Sequence, residues 1–221
     1  MSLRADLEDK FVSANGYNIR YIEKGSGHPL ICIHGLGAAL SGDQWLVNID
    51  ALSSVSHVYC PDMPGWGLSD LPTSGYSFPM LVDTIKEFCD ALGLEKVDVA
   101  GQSLGGWLAA LYAYYYPDRV RRVIIVGNAG LNPAPAGIAQ PFQLMDRDQL
   151  RNSLYREWTS FVPITEEQID ELERRMNRPG RQDAYEALRA AVLDETARET
   201  YSLRDKLPDM MHPILVCWGD N

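Results

Sequence analysis

The 221-residue sequence predicts an α/β protein, a mostly parallel sheet with helices on both faces. Two observations carry that prediction. Across the first 130 residues, short β-branched runs of strand length alternate with longer segments that have helical spacing. Several of the strand-like runs are also apolar on both faces, as strands covered from two sides must be.

Taken in order, residues 18–23 (NIRYIE), 30–34 (LICIH), 57–61 (HVYCP), 97–101 (VDVAG) and 122–127 (RVIIVG) read as strands. Between the third and fourth lies FPMLVDTIKEFCDALGL, where Leu81, Val82, Ile85, Phe88 and Leu92 recur at spacings of three and four and form the core stripe of a helix. LGGWLAALYAYYY, after Ser103, is a second helix, apolar almost all round and ended by Pro117. This β-α-β-α-β order implies right-handed crossovers. From residue 132 the composition changes. NPAPAGIAQP is a loop, and a charged helical block follows, to Pro208. TEEQ at Thr165–Gln168 has capping-box form, with Ile169, Leu172 and Met176 on one face. A further helix near residues 183–193 turns Ala184, Leu188, Ala191 and Val192 inward, before HPILVCWGDN returns to a strand. The expected organisation is therefore a core at residues 1–131, a helical insertion at 132–209 after the sixth strand, and a return strand of the core at 210–221.

Composition excludes several classes. A net charge of −10 disfavours non-specific attraction to nucleic acid or anionic lipid. The first residues lack the apolar stretch of a secretory signal, and no run approaches the ~20 apolar residues of a membrane span. A soluble cytosolic protein acting on a small molecule is expected, with a homodimer left open. Cys32, Cys60, Cys89 and Cys217 are scattered with no C-x-x-C pair. Those in strand-like runs, Cys32, Cys60 and Cys217, read as small buried thiols. No metal site is expected.

VDVAGQSLGGW, from Val97, fits G-x-S-x-G, with Gly101 and Gly105 flanking Ser103 where an apolar strand meets an apolar helix. In such a turn the serine is held in a strained backbone conformation with its Oγ projecting, and side chains at the flanking positions would collide. The helix directs its positive end and the Leu104 N–H toward the space above the serine.

A second element, His34, Gly35, Leu36 and Gly37, follows the apolar run LICI, and a third, PDMPGWGLS, runs from Pro61 to Ser69. With these three motifs in order the chain resembles the α/β-hydrolase family over nearly its whole length. The resemblance implies that Ser103 is a nucleophile at an elbow formed with Gly101, Gln102 and Gly105. It implies an oxyanion hole from the Leu36 and Leu104 backbone N–H groups, on a loop shaped by His34, Gly35 and Gly37. No cofactor is implied. His34 in this family shapes the loop and takes no serine proton, and Asp62 reads as a turn residue bonding nearby backbone.

A serine needs a base oriented by a carboxylate, and in this family acid and histidine follow the serine. Only His212 does so, and it precedes its strand, at the end away from the catalytic loops. The family's G-x-x-D acid, counted from Gly219, would fall one residue beyond Asn221; Asp220 is out of register, and Asn128, at an alternative position, cannot ionise. Triad acid and histidine are thus absent from residues 1–221. Either the chain stops early, which the break within a motif favours, or the protein lacks two triad members. Completing the sheet would take roughly 40 to 60 residues.

Within the family, HGLGAALSGDQW, GNAGLN and the helical cap resemble the meta-cleavage-product hydrolases, which cut carbon–carbon bonds in vinylogous 1,5-diketones. That resemblance implies an asparagine and a cap arginine on the dienoate. Asn48 and either Arg174 or Arg175 are the candidates, while Gln102 departs from the asparagine of some relatives. A carboxylesterase on small acyl esters is the alternative reading, and a non-catalytic ligand-binding protein is another.

Overall fold

The computed structural model describes residues 6–127, 129–131, 142–158 and 163–219. Seven strands form one sheet in the order β1-β2-β4-β3-β5-β6-β7. They are β1 (Lys10–Ala14), β2 (Tyr17–Lys24), β3 (Pro29–Ile33), β4 (His57–Pro61), β5 (Val97–Gln102), β6 (Val120–Val126) and β7 (Ile214–Cys217). From β4 to β7 the pairing is parallel, as the doubly apolar runs require. The β1–β2 and β2–β4 pairs are antiparallel. Sequence reading missed β1, because KFVSA has an exposed outer face and too little apolar patterning to stand out.

The helices are α1 (Leu46–Ser53), α2 (Phe78–Ala91), α3 (Leu104–Tyr115), α4 (Arg147–Trp158), α5 (Glu166–Met176), α6 (Arg181–Leu193) and α7 (Glu195–Thr200). Alternate strand residues divide the core into two layers. Ile31, Ile33, Val97 and Val99 pack with Phe88 of α2 and Leu108 and Leu111 of α3. Leu30, Cys32 and Ala100 pack with Ile49 of α1, Leu154 of α4 and Leu172 of α5.

Local chemistry fixes the helix starts. The Ser77 hydroxyl accepts from Met80 N to open α2, with Pro79 in the first turn. Thr165 and Gln168 form a reciprocal capping box on α5. Helices α4 to α7 lie between β6 and β7 in sequence, where the helical insertion is expected. The proline-rich loop at 132–141 that opens it lies outside the described residues, as do Asn128 and Asp220.

One burial expectation is corrected. Cys217 is exposed, while Cys89, on the inward face of α2, is buried along with Cys32 and Cys60. Within the described sheet β7 pairs with β6 alone, and its residues are half-buried to exposed. Burial also pushes the Cys89 thiol up to about 12, which keeps it protonated and unreactive at neutral pH.

Candidate active site

The chain turns sharply from β5 into α3 at Ser103, whose backbone has φ 53° and ψ −117°. Among the described residues only Asn15 and Ser103 combine a side chain with positive φ. Such a conformation costs on the order of 1–3 kcal/mol and persists because its surroundings hold it. Here Ser103 N donates to Val126 O at 2.9 Å, and Ser103 O accepts from Trp107 N at 3.2 Å. The neighbouring glycines are required sterically. A Cβ on Gly101 would run into the backbone of Gly105, and one on Gly105 into the carbonyl oxygens of Ile33 and His34.

That second contact shows how β3 and α3 are brought together. The loop after β3 packs against the first turn of α3, and Leu36, Ser103 and Leu104 line one cleft. Leu104 opens α3, and amides in a first helical turn have no acceptor within the helix. The rest of the lining is Trp107, Ala129, Val192, Leu193 and Arg198, apolar apart from the arginine. Its free volume is about 10 Å³, about the space one water needs.

A hydrogen-bonded frame sets the loop. Gly35 N donates to Gln44 Oε1 at 3.0 Å, and Gln44 Nε2 donates to Gln102 Oε1 at 3.2 Å, tying the loop to the residue before Ser103. Trp66 Nε1 donates to Gly37 O at 3.2 Å. His34 is buried; Nδ1 donates to Gly35 O at 2.8 Å, and Nε2 accepts from Met63 N at 3.0 Å. Both ring nitrogens are committed to backbone, and burial holds the imidazole below its usual pKa, so it stays neutral.

Asp62 faces away from the cleft. Its Oδ1 accepts from Gly42 N at 2.7 Å and from Arg20, and its Oδ2 accepts from Leu68 N at 2.8 Å. Arg20 is fully buried among Asp9, Asp43 and Asp62. Burial is the largest single influence and lowers its pKa, but the three carboxylates together outweigh it and hold the pKa above the ordinary value.

The remaining sequence candidates do not converge on Ser103. Asn48 is exposed on α1. Arg174 is exposed and pairs with Glu171, while Arg175 is buried against Ser41, Asp43 and Glu171. Neither arginine lines the cleft. His212 Nε2 lies 3.0 Å from Pro117 O, and His28, His57 and His212 all sit at the strand ends opposite Ser103.

Two arginines missed by sequence reading stand out instead. Arg198 lines the cleft and lies over the Trp107 ring at 5.4 Å. Arg181 is buried, donates to Ala38 O beyond the loop, and stacks on Phe142 and Tyr185. Among the described residues no carboxylate pairs with Arg181, its Nη1 has no acceptor, and burial pushes it down to about 10. The only signal in the sequence was an arginine at a helix start, which is unremarkable by itself.

Among the described residues no group of three or more His, Cys, Asp or Glu is gathered as a metal site, and no helix is long and apolar enough to cross a membrane. A profile described as alpha/beta hydrolase fold matches residues 28–168. The chain is 36% identical over 129 residues to 2-hydroxymuconate semialdehyde hydrolase of Pseudomonas putida, covering 58% of this chain and 46% of that one. It is 29% identical over 213 residues to the dihydrolipoyllysine-residue acetyltransferase component of an acetoin cleaving system from Cupriavidus necator, covering 95% and 56%. The chain thus spans about half the length of these relatives. Among solved structures it superposes on the meta-cleavage product hydrolase CumD of Pseudomonas fluorescens IP01 with a TM-score of 0.73 and 28% identity, covering 95% of this chain and 79% of that one.

Proposed function

Because the chain belongs to the α/β-hydrolase fold family, we propose that it is a serine hydrolase of small carbonyl compounds, with Ser103 as nucleophile and the Leu36 and Leu104 amides as oxyanion hole. The observation that carries this reading is the strained Ser103 turn, which opens into the same cleft as both leucines. Attack at a carbonyl carbon places negative charge on its oxygen, and each amide aimed at that oxygen contributes about 3 kcal/mol to transition-state stabilisation. The apolar lining favours a hydrocarbon substrate body. Arg181 and Arg198 supply positive charge around the loop and the cleft, which suits a substrate with an anionic end.

The meta-cleavage product relatives favour carbon–carbon cleavage of a vinylogous 1,5-diketone over ester hydrolysis. No cofactor enters this chemistry. Turnover does need a base at Ser103, and among the described residues none of the four histidines is placed to act as one. The second reading, which the test separates from the first, is a carbonyl-binding protein with little turnover.

The test incubates the protein with a 2-hydroxy-6-oxo-dienoate and, separately, with p-nitrophenyl acetate, alongside Ser103→Ala. Dienoate cleavage lost in Ser103→Ala is expected. Ester turnover alone supports an esterase, saturable binding without turnover supports the second reading, and Ser103→Ala activity equal to the parent overturns the serine assignment.

A further inference from the structure

The Leu36 amide can act as an oxyanion donor only if its N–H points into the cleft, so the residues on either side of it decide its direction. Two separate chains of hydrogen bonds hold them. On one side, Gly35 N donates to Gln44 Oε1 at 3.0 Å. On the other, Gly37 O accepts from Trp66 Nε1 at 3.2 Å. Each chain is braced by an arginine at or just past the end of α5. Buried Arg175 donates to Ser41 Oγ at 2.9 Å and lies 3.0 Å from Asp43 Oδ2, in the turn that carries Gln44. Half-buried Arg178 donates from Nη1 to Gly67 O at 2.5 Å and to Ser69 O at 3.0 Å, in the turn that carries Trp66. Asp62 joins the two turns, accepting from Gly42 N and Leu68 N.

Ile169, Leu172 and Met176 already seat α5 on the core by apolar contact. A buried guanidinium adds little net stability to such a contact, but its planar fork fixes direction by reaching several acceptors at once. Arg174, the neighbour of Arg175, is exposed and pairs with Glu171 on its own helix. We propose that Arg175 and Arg178 are positioning residues that carry the seating of α5 through to the Leu36 amide, so that the oxyanion hole takes its working geometry with the helical insertion docked. Their role in turnover rests on Leu36 as oxyanion donor; the bracing itself does not.

The test compares the parent with Arg175→Met, Arg175→Lys, Arg178→Met and Arg174→Met in the full chain. Native-state hydrogen exchange is read at the Gly35 amide and the Trp66 indole N–H, each against the Val99 amide in the middle of the sheet. Relative to Val99, exchange should quicken about tenfold at Gly35 in Arg175→Met and at Trp66 in Arg178→Met, roughly the worth of one hydrogen bond to a charged group. With p-nitrophenyl acetate, kcat should fall about tenfold in both Met variants while KM stays within about twofold, because the oxyanion contact is made in the transition state. Arg175→Lys keeps the charge beside Asp43 without the fork and should fall between parent and Arg175→Met. Arg174→Met should match the parent. If Arg175→Met does not fold, Arg175→Lys and Arg178→Met carry the same comparison. Exchange that rises equally at Val99, exchange unchanged at Gly35 and Trp66, or kcat unchanged where exchange has quickened overturns the proposal. A parent without ester turnover counts against the Ser103 chemistry instead, and exchange alone then decides the bracing.

Discussion

Replacing Ser103 by glycine should stabilise the protein while removing the hydroxyl on which its proposed chemistry depends. The serine sits at φ 53° and ψ −117°, a region closed to side-chain-bearing residues by contact between Cβ and backbone. Holding it there costs about 1–3 kcal/mol. Glycine removes that strain but loses about 0.5–1 kcal/mol more backbone entropy on folding, which leaves a net gain of about 1 kcal/mol. Ser103→Ala is the control, since it deletes the same hydroxyl and keeps the Cβ. For a chain of this length the two variants should differ by about 2–4 °C in Tm, with glycine the higher. Thermal melts and urea titrations followed by far-ultraviolet circular dichroism measure the difference. A glycine variant no more stable than the alanine variant would show that the strain at Ser103 does not exceed the extra backbone entropy that glycine loses.

Two further outcomes follow from the buried polar groups. Burial holds the pKa of folded His34 below the ordinary 6.5, so below that pH the unfolded chain binds a proton that the folded chain refuses. Stability then falls as pH drops from about 6.5, by at most about 1.4 kcal/mol per pH unit for this one group. Urea midpoints of the parent should converge on those of His34→Gln between pH 7 and 5.5, and parallel curves would refute the assignment. Arg20→Met leaves Asp9, Asp43 and Asp62 without their shared cation and should cost about 3–5 kcal/mol. A loss under about 1 kcal/mol in urea titration would mean that Asp62 is held by its backbone donors alone.

Local patterns carried the parts of this fold that depend on neighbours in sequence. Residues 57–61 coincide with β4, and the turn from Gly101 to Gly105 marks where β5 meets α3. The capping box at Thr165 was legible because both partners lie within one turn. Failures came where a side chain's environment depends on a distant segment. Arg174 and Arg175 are consecutive on α5, yet one is exposed and the other is enclosed by Ser41 and Asp43, more than 130 residues away. Arg198 entered the cleft because Trp107, on α3, lies beneath it.

The sequence by itself determined the layered α/β class, the sharp turn at Ser103 and the glycines it needs. These rest on backbone sterics and hydrophobic periodicity, which act over a few residues. Tertiary structure alone decided that the 34–37 loop is tied to the elbow through Gln44 and Gln102, and that both nitrogens of His34 are spent on backbone. It also decided that Ser103, half-buried, opens into a small cleft lined mostly by apolar side chains, and that Arg181 lies buried without a carboxylate among the described residues. Burial and pairing of charge are set by which surfaces meet when the sheet and helices pack, and no local pattern contains that information.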